Sequence, residues 1–394
     1  MSSMYDAVVV GAGPSGSAAA YEIAQAGFSV IMLEKHPRPG IPLCCAEAVP
    51  RAALERLVTV KKEWVSSYID NIKVIAPNGE FVTIMHPGAG LVLDRKIFDN
   101  DLAQQAIQAG CKLRCETIGL ELIRRGNLFS SLKILNRDES IEEISARVFI
   151  AADGVESKIA RLAGIGNLVN DDDTAAYYQY RLVDIEIDST VMEFHVGNEI
   201  APGNYAWVFP KSSNSANAGV GVSVNRQKGN SAPQFLDRFV EHRFGKAVIA
   251  ERFCGLVPKY QGKRMFGQKN LLVVGDAARV LDSLSGAGIT NGMLSGKYAG
   301  QAAVKYLSGD LKNIDEIGQF YPGQFLKEKG EELALYARLR HVYSKLDDND
   351  FIEIVRALND YFSNNSISGV NAGRLLAGIM TTRPRLLRLI KHLI

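Results

Sequence analysis

Residues Tyr5–Glu34, YDAVVVGAGPSGSAAAYEIAQAGFSVIMLE, decide how the rest of the chain is read. Ala7 to Val10 is a short apolar run rich in β-branched residues, the pattern of a strand buried on both faces. Gly11, Gly13 and Gly16 follow at G-x-G-x-x-G spacing, and Ser15 to Ala26 is alanine-rich without a breaker, which predicts a helix. Gly27 ends that helix, Ser29 to Leu33 predicts a second strand, and Glu34 closes it 23 residues after Gly11. Gly11 permits the tight turn, Gly13 lets a pyrophosphate approach the backbone, and Gly16 lets helix and strand pack closely. The helix start offers free N–H groups to phosphate, and Glu34 can accept from ribose hydroxyls. A dinucleotide site is the expectation; the alternative is a glycine-rich turn in an ordinary α/β unit.

Working outward, the chain has 394 residues, 47% hydrophobic and 22% charged, enough for two domains or one nucleotide fold with an insertion. A formal net charge of +2 gives no argument for nucleic acid. Five cysteines at irregular spacing suggest neither a disulfide framework nor a zinc site, and point to a reducing compartment. The six histidines are scattered, so no metal is expected. No run has the length of a signal-peptide core or the ~18 apolar residues of a membrane span, so any membrane contact is expected to be peripheral.

Ile72 to Ile75 and Glu80 to Met85 predict a hairpin around Pro77-Asn78-Gly79, and Lys96 to Gln108 an amphipathic helix. Ala146 to Ala152 and Asn270 to Val274 predict further buried strands, followed by Asp153-Gly154 and Gly275-Asp276. Because strands of nucleotide-fold type return so late, that domain is expected to be discontinuous: residues 1–70, 92–165 and 266–308. A β-sheet substrate domain then takes 71–91 and 166–265, and a helical region 309–394.

Three further stretches stay open on residues alone. Asp276 beyond a buried strand, with Gly286-Ala287-Gly288 opening a helix, suits either a sugar hydroxyl and an anion or a plain helix cap. Tyr205, Trp207 and Phe209 alternate along a strand and share one face, either a pocket for a long apolar chain or a core stripe. The stretch from Arg383 to Ile394 carries cations, no acid, and leucines and isoleucines at helical spacing. It suits an anionic membrane surface or a docked helix with a basic outer face.

The set GAGPSG, Glu34, Arg95-Lys96-Ile97-Phe98-Asp99, Ala151-Ala152-Asp153-Gly154 and Gly275-Asp276 resembles the FAD-binding fold of aromatic hydroxylases and their relatives. Within that group the chain resembles the geranylgeranyl reductases, flavoproteins that saturate isoprenoid chains. Two stretches carry this: Cys45 with Glu47 after a Pro/Gly loop, like the family's C-G-E-G/A, and Pro202 to Pro210, like its P-x-x-Y-x-W-x-F-P. Ala46 and Ala48 stand here where the family has glycine, which puts the loop geometry and the role of Cys45 in question.

The resemblance implies an FAD-binding Rossmann-like domain with an inserted antiparallel sheet and C-terminal helices. It implies Ser15 and Gly16 on the FAD pyrophosphate with Gly11 and Gly13 in the same cofactor-binding loop, Glu34 on the ribose, and Arg95 at the phosphate or ribityl part. Gly119 would lie under the adenine, Asp276 on the ribityl and pyrophosphate part, and Gly288 and Ile289 on the pyrimidine edge of the flavin. Lys35, Ala46, Ala48 and Asp153 are expected with them. Cys45 would lie near the isoalloxazine, as a proton donor to the reduced double bond or as a packing residue. Glu47, Tyr205 and Trp207 are expected at the substrate, a geranylgeranyl chain of an archaeal-type glycerolipid. The reductant would be NAD(P)H or a ferredoxin-type protein, and the location cytoplasmic, peripheral on the inner face of the membrane. The rivals are a flavin monooxygenase of an aromatic, a reductase of a bacterial pigment or quinone side chain, and a prenyl-binding carrier.

Overall fold

The computed structural model describes residues 3–165, 174–227, 229–258 and 266–364. The chain forms two compact units, each assembled from three separate segments. Within the described residues, unit 1 takes residues 3–43, 95–165 and 266–335, and unit 2 takes 44–94, 174–257 and 336–364.

Unit 1 is built on Ser3–Val10, whose Ala7, Val8 and Val9 have no exposed surface. It pairs in parallel with Val30–Leu33 on one side and Ile141–Ala151 on the other, with Ala7 level with Val30 and Val148. Lys112–Arg114 extends one edge and Leu271–Val273 the other, both parallel. A strand flanked on both sides and covered on both faces must be apolar throughout, which is why the run has no alternation. Ile118–Arg125 and Leu128–Leu135 form a hairpin that joins Ile141–Ala151 antiparallel.

The helix Pro14–Gln25 leaves the central strand and crosses Ile289–Leu307 through a ridge of glycines, Gly292, Gly296 and Gly300, one helical turn apart. A methyl carbon at Gly296 would fall inside the Ser15 carbonyl oxygen, and one at Gly300 would lie 2.7 Å from the Ala19 oxygen. The two helices therefore meet backbone to backbone, and side chains do not set their spacing.

Unit 2 is an eight-stranded sheet in the order Val248–Pro258, Thr174–Val183, Ser215–Ser223, Tyr205–Ser212, Val191–Val196, Val65–Ile75, Phe81–Leu93, Ala48–Pro50. Most of its pairs are antiparallel; Val191–Val196 runs parallel to Val65–Ile75. Alternation sorts the two faces. Tyr180, Leu182, Val208 and Val220 pack against Phe235, Leu236, Phe239 and Val240 of the helix Ala232–Phe244, which starts with a Ser231/Gln234 capping box. Burying each of those helix side chains contributes roughly 1.5–3 kcal/mol. The opposite face carries Tyr205, Trp207 and Phe209, and further along Val74 and Val82 under the helix Asp348–Asn364.

The grouping differs from the sequence expectation at several boundaries, and residues 309–335 fall in unit 1. Residues 44–70 belong with unit 2, because Ala48–Pro50 and Val65–Ile75 both pair with Phe81–Leu93. Residues 336–364 also group with unit 2, where Val342, Leu346 and Phe351 form one cluster with Val196. The pairing partner places a segment, and nothing in the local composition of 44–70 announces it. The stretch Arg383 to Ile394 lies outside the described residues.

Candidate active site

In unit 1 the first crossover has the geometry an anion needs. Gly11 sits at φ +103°, and a side chain there or at Gly16 would strike the Ala152 or Gly11 carbonyl. At Gly13, by contrast, the space a side chain would fill is open. Gly13 caps the helix without a side-chain bond, so the first-turn N–H groups have no capping acceptor from it. Glu34 is buried at the end of its strand and holds the loop: Oε2 accepts the Ala12 N–H (3.0 Å) and Oε1 the His36 N–H (3.0 Å). Oε1 also lies 2.8 Å from His36 Nδ1, so Oε2 is the oxygen with a further lone pair for a hydroxyl. Ser15 turns its hydroxyl toward Gly275 and Gly292, so what it offers at the helix start is its backbone N–H.

Asp276 and Gly288 come together at the start of the second helix: a methyl carbon at Gly288 would lie 3.2 Å from Asp276 Oδ1. Asp276 is solvent-accessible, yet protein around its carboxyl raises its pKa, against the pull of Arg95 and Arg279. Arg95 is held by a two-point ion pair with Asp99, Nη2 to Oδ2 at 2.6 Å. Gly13, Ser15, Gly16, Glu34, Arg95, Asp276, Gly288 and Ile289 thus fit a flavin dinucleotide: amides and a guanidinium for the phosphates, carboxyls for hydroxyls.

Other expected residues have local duties. Gly119 makes room for Ile159, whose Cδ1 would lie 2.8 Å from a side chain there. Asp153 accepts the Ile159 N–H (2.8 Å) while its Oδ1 is buried without a partner, and burial raises its pKa. Lys35 is exposed, 3.8 Å from Glu156.

In unit 2 Glu47, expected at the substrate, is enclosed by protein. It is 1% exposed at φ +71°, and its Oε2 accepts from Arg181 Nη2, Lys211 Nζ and Asn217 Nδ2, each at 2.8 Å. Burial lowers the pKa of Lys211, and Glu47 opposes that. The Glu47 N–H faces Cys45 Sγ at 3.2 Å. Ala46 and Ala48 are partly buried against a cluster of Ile69, Val92, Met192, Trp207 and Phe209. Trp207 is 3% exposed, its ring 5.7 Å from Tyr177 and 6.0 Å from Tyr205, with Nε1 donating to Gln179 Oε1 (3.0 Å). Gly219 leaves the space that this ring occupies. Tyr177 and Tyr205 are half-buried, so they and Ala46 form the accessible apolar surface with Trp207 as its backing.

Gln179, Arg181, Lys211 and Asn217 were not among the expected site residues. The one signal for them is polar side chains at alternate positions of strands whose other positions are apolar. Among the described residues no group of three or more His, Cys, Asp or Glu could hold a metal, and no helix is long and apolar enough to cross a membrane.

A family model for the geranylgeranyl reductase catalytic domain matches residues 173–257, and one for an NAD(P)-binding Rossmann-like domain matches residues 9–50. The chain is 35% identical to the digeranylgeranylglycerophospholipid reductase of Methanosarcina acetivorans, over 91% of this chain and 90% of that one. Its fold superposes on a geranylgeranyl bacteriochlorophyll reductase-like protein of Thermoplasma acidophilum with a TM-score of 0.91, 27% identity and full coverage of both chains. The p-nitrophenol 4-monooxygenase PnpA of Pseudomonas putida shares the fold at a TM-score of 0.73 and 16% identity, over 100% of this chain and 99% of that one.

Proposed function

The chain belongs to the geranylgeranyl reductase family, and from that premise we propose how its residues serve the reduction of isoprenoid double bonds. It is an FAD-dependent oxidoreductase acting on geranylgeranyl chains of archaeal-type membrane lipids. The flavin supplies hydride to one carbon of the double bond. First-turn amides at Gly13 to Gly16 hold the pyrophosphate, Glu34 the ribose, and Arg95 with Asp276 the ribityl-phosphate part. The start of Ile289–Leu307, opened by Gly288, presents N–H groups where negative charge gathers in the reduced ring system.

Unit 2 supplies the substrate surface. Tyr177, Tyr205 and Ala46 offer an apolar face with few groups that demand hydrogen bonds, which suits a polyprenyl chain. An isolated alkene has no carbonyl to polarise, so the second carbon needs a proton, and the Cys45 thiol is the group this chain holds for it. The observation that carries the assignment is this aromatic strand beside the Cys45 loop, because the nucleotide crossover alone would suit any flavoprotein of the fold.

The outside reductant is a nicotinamide or a ferredoxin-type protein. The nucleotide-binding model matches residues 9–50, the same crossover that holds the FAD, so a nicotinamide would have to visit the flavin transiently. Peripheral membrane contact through Arg383 to Ile394 belongs to the same proposal, as a route for a lipid substrate. The assignment is tested by chemically reducing the purified protein without oxygen and adding a geranylgeranyl glycerolipid. Mass spectrometry should show a hydrogen pair added per double bond; an unchanged lipid sinks the reading. Substrate-stimulated oxygen consumption would favour a monooxygenase instead.

A further inference from the structure

Three consecutive residues, Cys45, Ala46 and Glu47, are each gripped by a side chain from the sheet. Gln179 Nε2 donates to the Cys45 carbonyl (3.1 Å), and Asn217 Nδ2 donates to the Ala46 carbonyl (3.1 Å). Arg181, Lys211 and Asn217 converge on the Glu47 carboxylate. The donors are linked in turn: Asn217 Oδ1 accepts from Arg181 Nε (2.8 Å), and Gln179 Oε1 accepts from Trp207. An amide accepts through its oxygen and donates through its nitrogen, so Gln179 couples the aromatic strand to the cysteine backbone.

A buried charge cluster of this kind is a poor source of stability, because desolvating the ions offsets most of their attraction. What it supplies is geometry. It holds Glu47 in the left-handed region, where a residue with a side chain is uncommon, and so aims the Glu47 N–H at the Cys45 sulfur. We propose that Gln179 and Asn217 are positioning residues that fix the place of the Cys45 thiol and act on the reduction through it. The use of that thiol in the reaction rests on the function proposed above.

Two substitutions test this on the flavin-loaded full chain. Gln179→Met removes both hydrogen bonds at similar volume. Gln179→Glu keeps the acceptor for Trp207, and burial favours the protonated carboxyl, which still donates to the Cys45 carbonyl in acid but not once ionised. Alkylation by iodoacetamide is followed by tandem mass spectrometry, with exposed Cys254 as the internal standard. Gln179→Met is expected to raise the Cys45-to-Cys254 ratio about fivefold with flavin absorbance retained; an unchanged ratio overturns the clamp.

The second readout is reoxidation of reduced flavin by the lipid, relative to wild type at each pH. Gln179→Glu should stay near wild type at about pH 5 and fall more than about tenfold by about pH 8, while Gln179→Met is slow at both. Equal losses at both pH values overturn the positioning role, and so does a Gln179→Glu variant that sheds its flavin absorbance over the same pH range, because the defect is then in the fold. A wild-type protein that never reoxidises on the lipid ends the reading of function, and the alkylation ratio still decides the clamp.

Discussion

The nucleotide crossover of unit 1 and the Cys45 corner of unit 2 each hold a loop at the end of a strand, by opposite means. The crossover is made of backbone. Gly11 N–H bonds to the Leu33 carbonyl (2.7 Å), Glu34 reaches back to Ala12, and what matters at Gly11, Gly13 and Gly16 is the side chain they lack. The Cys45 corner is made of side chains that arrive from far along the chain: Arg181 134 residues away, Lys211 164 and Asn217 170. A site built on missing side chains should fail by crowding, and one built on buried charge by loss of a partner.

The largest break comes from crowding. Gly296→Val drives a branched side chain into the Ser15 carbonyl, where only backbone can yield. The cost should exceed the ~1–3 kcal/mol of ordinary overpacking, and the variant should lose flavin absorbance along with a large drop in melting temperature. Retained flavin at wild-type stability would mean that the two helices do not need their close crossing.

Next is removal of a partner. Glu47→Ala strands Lys211 and Arg181 near a buried face, with an expected loss of about 3–5 kcal/mol in denaturant unfolding. Pairing Glu47→Leu with Lys211→Met should recover at least ~1 kcal/mol of it, since removing both charges leaves less to desolvate. A single-variant loss below ~1 kcal/mol would place the corner with the backbone-built class.

A third prediction uses another ion cluster of unit 2. Burial alone would raise the pKa of Glu193, but hydrogen bonds from His195 and Arg243, and their charges, hold it at about 2, below its ordinary 4.5. A carboxyl depressed in the folded state lends its stability above pH 4.5 and gives it up as the pH falls toward 2. About 3 kcal/mol should therefore disappear over that interval, and Glu193→Gln should flatten the acid limb of the stability curve.

The smallest effect sharpens the comparison rather than breaking it. Trp207→Phe keeps an aromatic ring in the space above Gly219 but leaves Gln179 Oε1 without its donor. The expected cost is about 1 kcal/mol, with altered Cys45 reactivity and unchanged flavin content.

The same contrast explains what could be read from the sequence. The crossover is local: its glycines, both strands and its acid lie within residues 5–34, and each obeys a rule of spacing. The alternation of Tyr205, Trp207 and Phe209 also gave a common face correctly, since strand period needs no partner. Glu47 was another matter. An acid in a loop reads as solvated or reactive, and only the return of the strands 205–212 and 215–223 buries it. Gln179 and Arg181 alternate with Tyr178 and Tyr180, so polar and aromatic faces compete for the interior and periodicity cannot choose between them. Residues 44–70 join unit 2 for the same reason, because their neighbours in the sheet are distant in sequence.

The sequence distances at the Cys45 corner also govern how the protein is born. Residue 47 leaves the ribosome long before residues 211 and 217 exist, so during synthesis its carboxylate stays hydrated and its backbone is free of the left-handed turn. The corner closes only after the strands 205–212 and 215–223 pair, an event of high contact order and hence slow. Unit 1 too awaits its last strand and helix, from residues 266–335, so neither unit matures in simple N-to-C order. Freshly refolded protein should accordingly take up flavin and gain activity on separate clocks, and a yellow, inactive species in early refolding samples is the one to look for.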